Sequence, residues 1–577
     1  MDYLERYGEW LTRVTDEERK ELQAISDNDK EIKERFLLPL EFGTAGMRGV
    51  LGMGIHMMNS YTVMRASEGL AAYVESLGEE AKKRGVLISY DTRRFSFEFA
   101  KISAEVLAYH GINAYVFENV RPVPMCSFAI RYLNAVAGIM ITASHNPKEY
   151  NGYKVYGEDG AQMSPEATAK VVEYIDRIDD YFSVKKIETG GRENYLGKDN
   201  FKVAENIAVV GKSIDDKYFE AIEKVALSGD AVKRVGKDIK IVYTPIHGSG
   251  YMPVTTILAR MGIKVNVVEE QATLDTEFST VEVPNPEQPD ALKMGMELAD
   301  RLGSDIVIGT DPDADRMGVA IRNNDNEFVL LNGNQIGAML LEYILRRREE
   351  EGTLPDNGAV VKTIVTTRLA DKIAKSYGVT VYDVLTGFKF IGEKIKEWEK
   401  SGKHTFLFGY EESYGYLSGT HARDKDAVVS AMLFAEMTCY FQDKGVKLYD
   451  HLTDIFDRYG YFVEKNKSIV FRGLDGMEKM ANIMEELRND PKKSISGYAV
   501  KNFMDFKKGI SVSENGDISD ITLPKANVIK YDLGNDEWVC VRPSGTEPKL
   551  KVYVSTAMPT LELSKEKNER LFEEFKF

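Results

Sequence analysis

Five times in this chain an apolar, β-branched run stops abruptly in a loop of Gly, Ser, Thr, Asp or Arg: VLISYDTRR (86–94), AGIMITASHNP (138–147), IKIVYTPIHGSG (239–250), DIVIGTDPDADR (305–316) and TFLFGYEESYGY (405–416). A continuous apolar run has no polar face to give to water, so both sides of the sheet it enters must be covered. The helical patterns between the runs supply that cover. The combination predicts α/β units with parallel sheets, whose ligands lie beyond the carboxyl ends of the strands. The polar tips are therefore where chemistry is to be sought.

At 577 residues the chain has length for roughly four domains of about 150 residues. Polar stretches at 188–200 and 322–328, and the change of character near 458–468, predict units at 1–205, 206–322, 323–460 and 461–577. The last unit reads as α+β, with the strands YAVKNFMDFKKGISV and EWVCVRPSGTEPKLKVYVS and a helix over 474–489. No run reaches the ~18 uncharged apolar residues of a membrane span. The acidic start MDYLERYGEWL lacks the basic, then apolar, character of a secretion signal, so a cytoplasmic protein is expected. Cys126, Cys439 and Cys540 form no C-x-x-C pair, which argues against disulfides and thiolate metal clusters. A formal charge of −16 disfavours nucleic acid and anionic membranes as partners, so an anionic ligand needs a local cluster of positive groups.

Ser144 ends the second run, beside His145, in ITASHNPKEYNGYKVYG. A nucleophile elbow is G-x-S-x-G, and Thr142 and Asn146 occupy the glycine positions here. Adjacent residues on an extended segment also point apart, so His145 is not expected to serve its own neighbour. Asp311, Asp313 and Asp315 alternate directly after an apolar strand; three converging carboxylates call for a cation. An EF-hand would need Gly and Glu where Arg316 and Arg322 stand, and all-oxygen ligation with few protein ligands fits Mg²⁺. The competing reading is an acidic solvated turn. CVRPSGTEPKLKVYV places Arg542, Ser544, Gly545 and Thr546 in a tight turn that could nest a phosphate or simply form a hairpin. EFGTAGMRG is a second glycine-rich loop, ending at Arg48. NIAVVGKS has Asn206 where a P-loop needs its first glycine, and Ser213 with Asp216 reads as a capping box.

TASHNP, the aspartate triplet, GYEESYGY and RPSGTEPKLK, in that order across nearly the whole chain, resemble the α-D-phosphohexomutase superfamily, the phosphoglucomutase/phosphomannomutase family. LEFGTAGMRG and GYKVYGEDGAQ resemble its long branch. The resemblance implies a heart-shaped, four-domain architecture: three α/β domains with mixed sheets and a C-terminal α+β domain around a central cleft. It implies a phosphoserine at Ser144 that ligates Mg²⁺ with Asp311, Asp313 and Asp315. Arg542, Ser544, Gly545 and Thr546 would hold the non-reacting phosphate, Glu411 and Ser413 the sugar hydroxyls, and Arg48, Arg316 and Arg423 would be further substrate contacts. Lys154, Lys389 and His145 are the acid/base candidates.

The implied reaction interconverts glucose 1-phosphate and glucose 6-phosphate, with glucose 1,6-bisphosphate as intermediate and activator. The partner would be a small-molecule sugar phosphate, and the enzyme a monomer or homodimer. The alternatives are a phosphopentomutase, a phosphomannomutase and an inactive regulatory binder; intact Ser144 and aspartates speak against the last. Ala427 stands where many relatives have glycine, and EESYGY lacks the SGH ending of phosphomannomutase-type members.

Overall fold

A computed structural model of the chain describes residues 2–43, 46–471, 476–543 and 549–575. The chain divides into two compact units. One comprises Met1–Leu331, Gly392–Lys400 and Gly415–Asp443; the other comprises Asn332–Ile391, Ser401–Tyr414 and Lys444–Phe577.

The first unit holds two mixed sheets. The strands β1 (Met47–Val50), β2 (Val86–Tyr90), β3 (Ala114–Phe117), β4 (Ala137–Ile141), β5 (Tyr150–Gly157), β6 (Phe201–Ala204) and β7 (Ile207–Val210) lie in the order β1-β5-β4-β2-β3-β7-β6. The centre, β4-β2-β3-β7, is parallel, while β1, β5 and β6 run antiparallel to their neighbours. In the second sheet β8 (Ile241–Thr244), β9 (Val265–Val267), β10 (Ile306–Thr310), β11 (Met317–Arg322) and β12 (Phe328–Leu331) have the order β12-β11-β10-β8-β9. Here β10, β8 and β9 are parallel and the β10–β11–β12 meander is antiparallel. Every residue of β2, β4, β8 and β10 is buried, as the continuous apolar runs require.

Two expected boundaries move. β7 pairs with β3, so the first sheet runs to Val210, past the expected division at 205/206. The 188–200 stretch is no free linker: Thr189 is bonded to Glu105, and Tyr195 is buried in the core of the first sheet. The division at 322/323 cuts the β11–β12 hairpin, in which Arg322 faces Phe328. Ser213 is not a cap either. The helix Lys212–Glu223 starts after Gly211, and the Ser213 N–H is taken by Asp199.

In the second unit β13 (Gly358–Thr363) lies parallel to both β14 (Thr380–Val384) and β15 (Thr405–Glu411). The helix Gly333–Glu350 packs close against β15, because a Cβ at Gly337 would lie 2.2 Å from the Tyr410 ring. From Tyr461, where the sequence places the change of class, an antiparallel sheet begins with Tyr461–Val470 paired to Lys549–Met558. The helices Gly476–Asn489 and Leu561–Glu573 share its core through Met480, Met484, Leu487 and Leu571. This is the expected α+β arrangement.

Candidate active site

Ser144 belongs to a hairpin. β4 is followed by antiparallel β5, Ile141 faces Tyr153, and residues 142–149 form the loop between them. Ser144 has φ 53°, the left-handed region that few L-residues adopt. That turn brings its Oγ to 3.3 Å from His145 Nδ1, so the expectation that the two neighbours diverge fails: the segment is not extended there. The Ser144 hydroxyl donates to Asp311 Oδ2 at 2.8 Å, and its N–H donates to Thr142 Oγ1 at 2.8 Å. Burial, with the guanidiniums of Arg316 and Arg48, holds the His145 imidazole well below its ordinary pKa.

The aspartates also lie in a hairpin loop, since Thr310 faces Met317 across β10 and β11. They converge as expected, but a turn rather than strand alternation gathers them. Ala314 sits at φ 43°, and its N–H bonds the Asp311 carbonyl at 2.9 Å. Asp311, Asp313 and Asp315 are buried and present ligand oxygens within 4.8 Å of one another. This disposes of the solvated-turn reading. Burial and the charges of Asp313 and Asp315 push Asp311 well above the carboxylate range. At Asp313 burial acts the same way, but the ammonium of Lys154, a hydrogen bond with Asp311 and the charge of Lys425 together outweigh it and hold the carboxyl low. Asp313 Oδ1 and Asp315 Oδ1 have no hydrogen-bond donor among the described residues. Buried, all-oxygen and with two oxygens unclaimed by any donor among the described residues, the triad fits a hard divalent cation.

The loop is braced from the neighbouring strand tip. Ser249 N and Oγ each donate to the Pro312 carbonyl at 2.8 Å, and a Cβ at Gly248 would come within 2.6 Å of Pro312 Cα. His247 donates or accepts at Thr280 Oγ1, 2.7 Å from Nε2, and so serves this scaffold.

Two lysines face the triad. Lys154, from β5, donates to Asp313 Oδ2 at 2.8 Å; Lys425 lies 3.0 Å from Asp315 Oδ2. Sequence reasoning passed over Lys425, although the charge alternation of HARDKDA was visible. Arg316 pairs with Glu287 at 2.8 Å, and Arg48 donates to Asn146 Oδ1 at 3.0 Å within the serine loop. Arg423, expected at a phosphate, is buried instead. It is engaged by Glu399 and by the carbonyls of Thr420 and Ala422, so it orders its own loop.

The remaining predicted residues lie in the second unit. Glu411 Oε1 accepts the Gly387 N–H at 2.8 Å, and Arg542 donates to the neighbouring Thr386 hydroxyl. The Thr386–Gly387 turn thus joins the sugar-loop candidate to the phosphate-loop candidate, with Lys389 two residues on, its ammonium 5.0 Å from the Phe390 ring. Ser413 donates to Glu412 at 3.1 Å. Ser544, Gly545 and Thr546 lie outside the described residues.

The sequence matches four domain models described as phosphoglucomutase/phosphomannomutase: alpha/beta/alpha domain I over 39–182, domain II over 216–324, domain III over 332–459 and the C-terminal domain over 498–570. A Staphylococcus epidermidis protein named phosphoglucomutase is 39% identical over 551 residues, 95% of this chain and 96% of its own. One from Staphylococcus aureus is 36% identical over 555 residues, 96% of each. The open form of pp63/parafusin, a phosphoglucomutase from Paramecium, aligns with a TM-score of 0.64 at 16% identity, over 93% of this chain and 96% of that one, a likeness of fold alone.

Proposed function

Because the chain belongs to the phosphoglucomutase/phosphomannomutase family, we propose that it interconverts glucose 1-phosphate and glucose 6-phosphate by storing a phosphoryl group on Ser144. The observation that carries this is the Ser144 hydroxyl 2.8 Å from Asp311, at the rim of a buried triad two of whose oxygens lack a donor among the described residues. A Mg²⁺ held by Asp311, Asp313, Asp315 and phospho-Ser144 would neutralise the charge on the transferring oxygens.

The chain's own groups account for the rest. In the forward half-reaction the Ser144 Oγ–P bond breaks and Ser144 Oγ takes up a proton, while a bond from phosphorus to a sugar hydroxyl oxygen forms and that hydroxyl gives its proton to the enzyme. Glucose 1,6-bisphosphate results. In the second half the bond between its other phosphate and the sugar oxygen breaks, that oxygen takes the proton back from the enzyme, and the phosphoryl group returns to Ser144 Oγ, whose proton leaves. His145, neutral near pH 7, is 3.3 Å from that oxygen and suits this transfer, while Lys154 stands beside Asp313. Glu411 and Ser413 would meet the sugar, and Arg542 the distant phosphate through paired charge-assisted bonds.

A coupled assay over glucose, mannose and ribose 1-phosphates, with intact-mass measurement of the protein, tests the reading. Glucose 1-phosphate should be turned over best, and a mass increment of one phosphoryl group should vanish in Ser144→Ala. A clear preference for the pentose or mannose substrate, or full turnover by Ser144→Ala, would overturn it.

A further inference from the structure

We propose that Arg93 is the positioning residue that sets Ser144 for in-line phosphoryl transfer, acting through the backbone of the serine loop rather than through the substrate. The inference rests on the reading of Ser144 as phosphoryl carrier. Arg93 follows β2, at the tip of the VLISYDTRR run, but is not among the residues the sequence singled out for a role. Its guanidinium is fully buried and donates to three carbonyls of the serine loop and one at the start of β5: Ser144 and Asn146 at 2.5 Å each from Nη2, and Pro147 at 2.9 Å and Tyr150 at 3.0 Å from Nη1. Behind it Asp91 lies 3.3 Å from Nε, itself fixed by the Arg93 N–H at 2.9 Å and the Ser96 hydroxyl at 2.8 Å. Over the guanidinium, 5.2 Å away, lies the ring of Phe278, a buried residue at φ 48° on a loop of the second sheet's domain.

Burying a guanidinium against neutral carbonyls is costly, and an apolar side chain would fill the space at lower desolvation cost. What the planar fork supplies is geometry. It ties the carbonyls at 144, 146, 147 and 150 to one rigid group, and so holds Ser144 in its left-handed conformation. The neighbouring Glu277 ties the same Phe278 loop to Lys148, 3.2 Å away, and to Arg94. Arg93 therefore couples the position of Ser144 to the domain that carries the aspartates.

The test compares wild type, Arg93→Lys and Phe278→Leu. Each is loaded with phosphate by glucose 1,6-bisphosphate and mixed with saturating glucose 1-phosphate in a rapid quench read by intact mass. A lysine ammonium has only three donor hydrogens for four acceptors and no planar fork, and a displacement of about 1 Å can cost ~100-fold in rate. Transfer from phospho-Ser144 should thus slow by roughly ten- to a hundredfold, with KM for glucose 1-phosphate within about twofold. If wild type never carries phosphate on Ser144, the functional reading itself fails. If wild type does and Arg93→Lys transfers at the wild-type rate, whether or not its melting temperature drops, Arg93 is a packing residue and the inference is wrong. Should Arg93→Lys not fold, Phe278→Leu decides, since it keeps the hydrogen bonds and removes only the aromatic face. A several-fold slower transfer at unchanged KM supports the inference, and an unchanged rate overturns it.

Discussion

The two carboxylate oxygens of Asp313 differ in their partners. Oδ2 takes the Lys154 ammonium at 2.8 Å and the Thr142 hydroxyl at 3.2 Å, while Oδ1 has no donor among the described residues. Asp313→Asn tests whether that second oxygen is a ligand position, since an amide removes one charge from the triad with little change of volume. Mg²⁺ titration of activity should then shift to at least roughly tenfold higher concentration, because affinity for hard cations follows ligand charge. An unchanged titration would mean that the triad serves the lysines instead. Ser144 and the aspartates were legible in the sequence because small polar and acidic side chains seldom crowd the end of a wholly apolar run. Arg93 and Lys425 were not singled out, because the partners of each lie on segments distant in sequence that only folding brings up: the serine loop for Arg93 and Asp315 for Lys425.

Among the elements, the strand tips were found correctly, as were the helices that follow β2 and β8, but the returns after β4 and β10 were not. Five buried residues in a row look the same whether the chain leaves them for a helix or turns back, and both β4 and β10 turn back. Hairpins suit the site, because a loop anchored at both ends in one sheet holds Ser144 and the triad more firmly than a strand-to-helix crossover would. In the second unit one strand of the C-terminal sheet, Ile529–Gly534, sends Lys530 to the loop after β13, where its ammonium donates to the Ile364 carbonyl at 2.6 Å and lies 4.4 Å from the Trp538 ring. Burial, only partly opposed by Asp383, lowers its pKa from 10.5 to about 8. The sign follows from proton counting. Between pH 8 and 10.5 the unfolded chain binds more protons at this lysine than the folded one, so its contribution to stability rises with pH. That gap amounts to about 3 kcal/mol. Urea unfolding of wild type and Lys530→Met should therefore diverge in favour of wild type as pH rises from 8 towards 10.5. Parallel profiles would mean that the ammonium is better solvated than its surroundings indicate.

For the whole molecule, a division of the sequence into successive domains misses that the first unit is discontinuous in the chain. Leu331 ends its first segment, yet the unit is completed by Gly392–Lys400 and Gly415–Asp443. The returning segment is bound residue by residue. Asp424 accepts from Tyr156 at 3.0 Å, Lys425 reaches Asp315, Asp426 accepts from Tyr218 at 2.8 Å, and Glu436 accepts the N–H groups of Leu227 at 2.8 Å and Ser228 at 2.6 Å. Its helix, Ala427–Asp443, is buried along almost its whole length, so it fills a core rather than a surface groove. No local pattern in the sequence announces this, because apolarity marks a buried helix without saying which core receives it. A fragment of residues 1–331 contains both candidate-site hairpins and every strand of the two mixed sheets. It should nevertheless fail to fold cooperatively, since removing the helix exposes the apolar docking surface that it buries and deletes the Glu436 carboxylate bonded to the Leu227 and Ser228 N–H groups. Heating followed by circular dichroism should show a broad, non-cooperative transition for 1–331 beside a sharp one for the full chain. A sharp transition in the fragment would show that the two hairpins and their sheets form a self-sufficient domain pair, and that the returning helix only covers it.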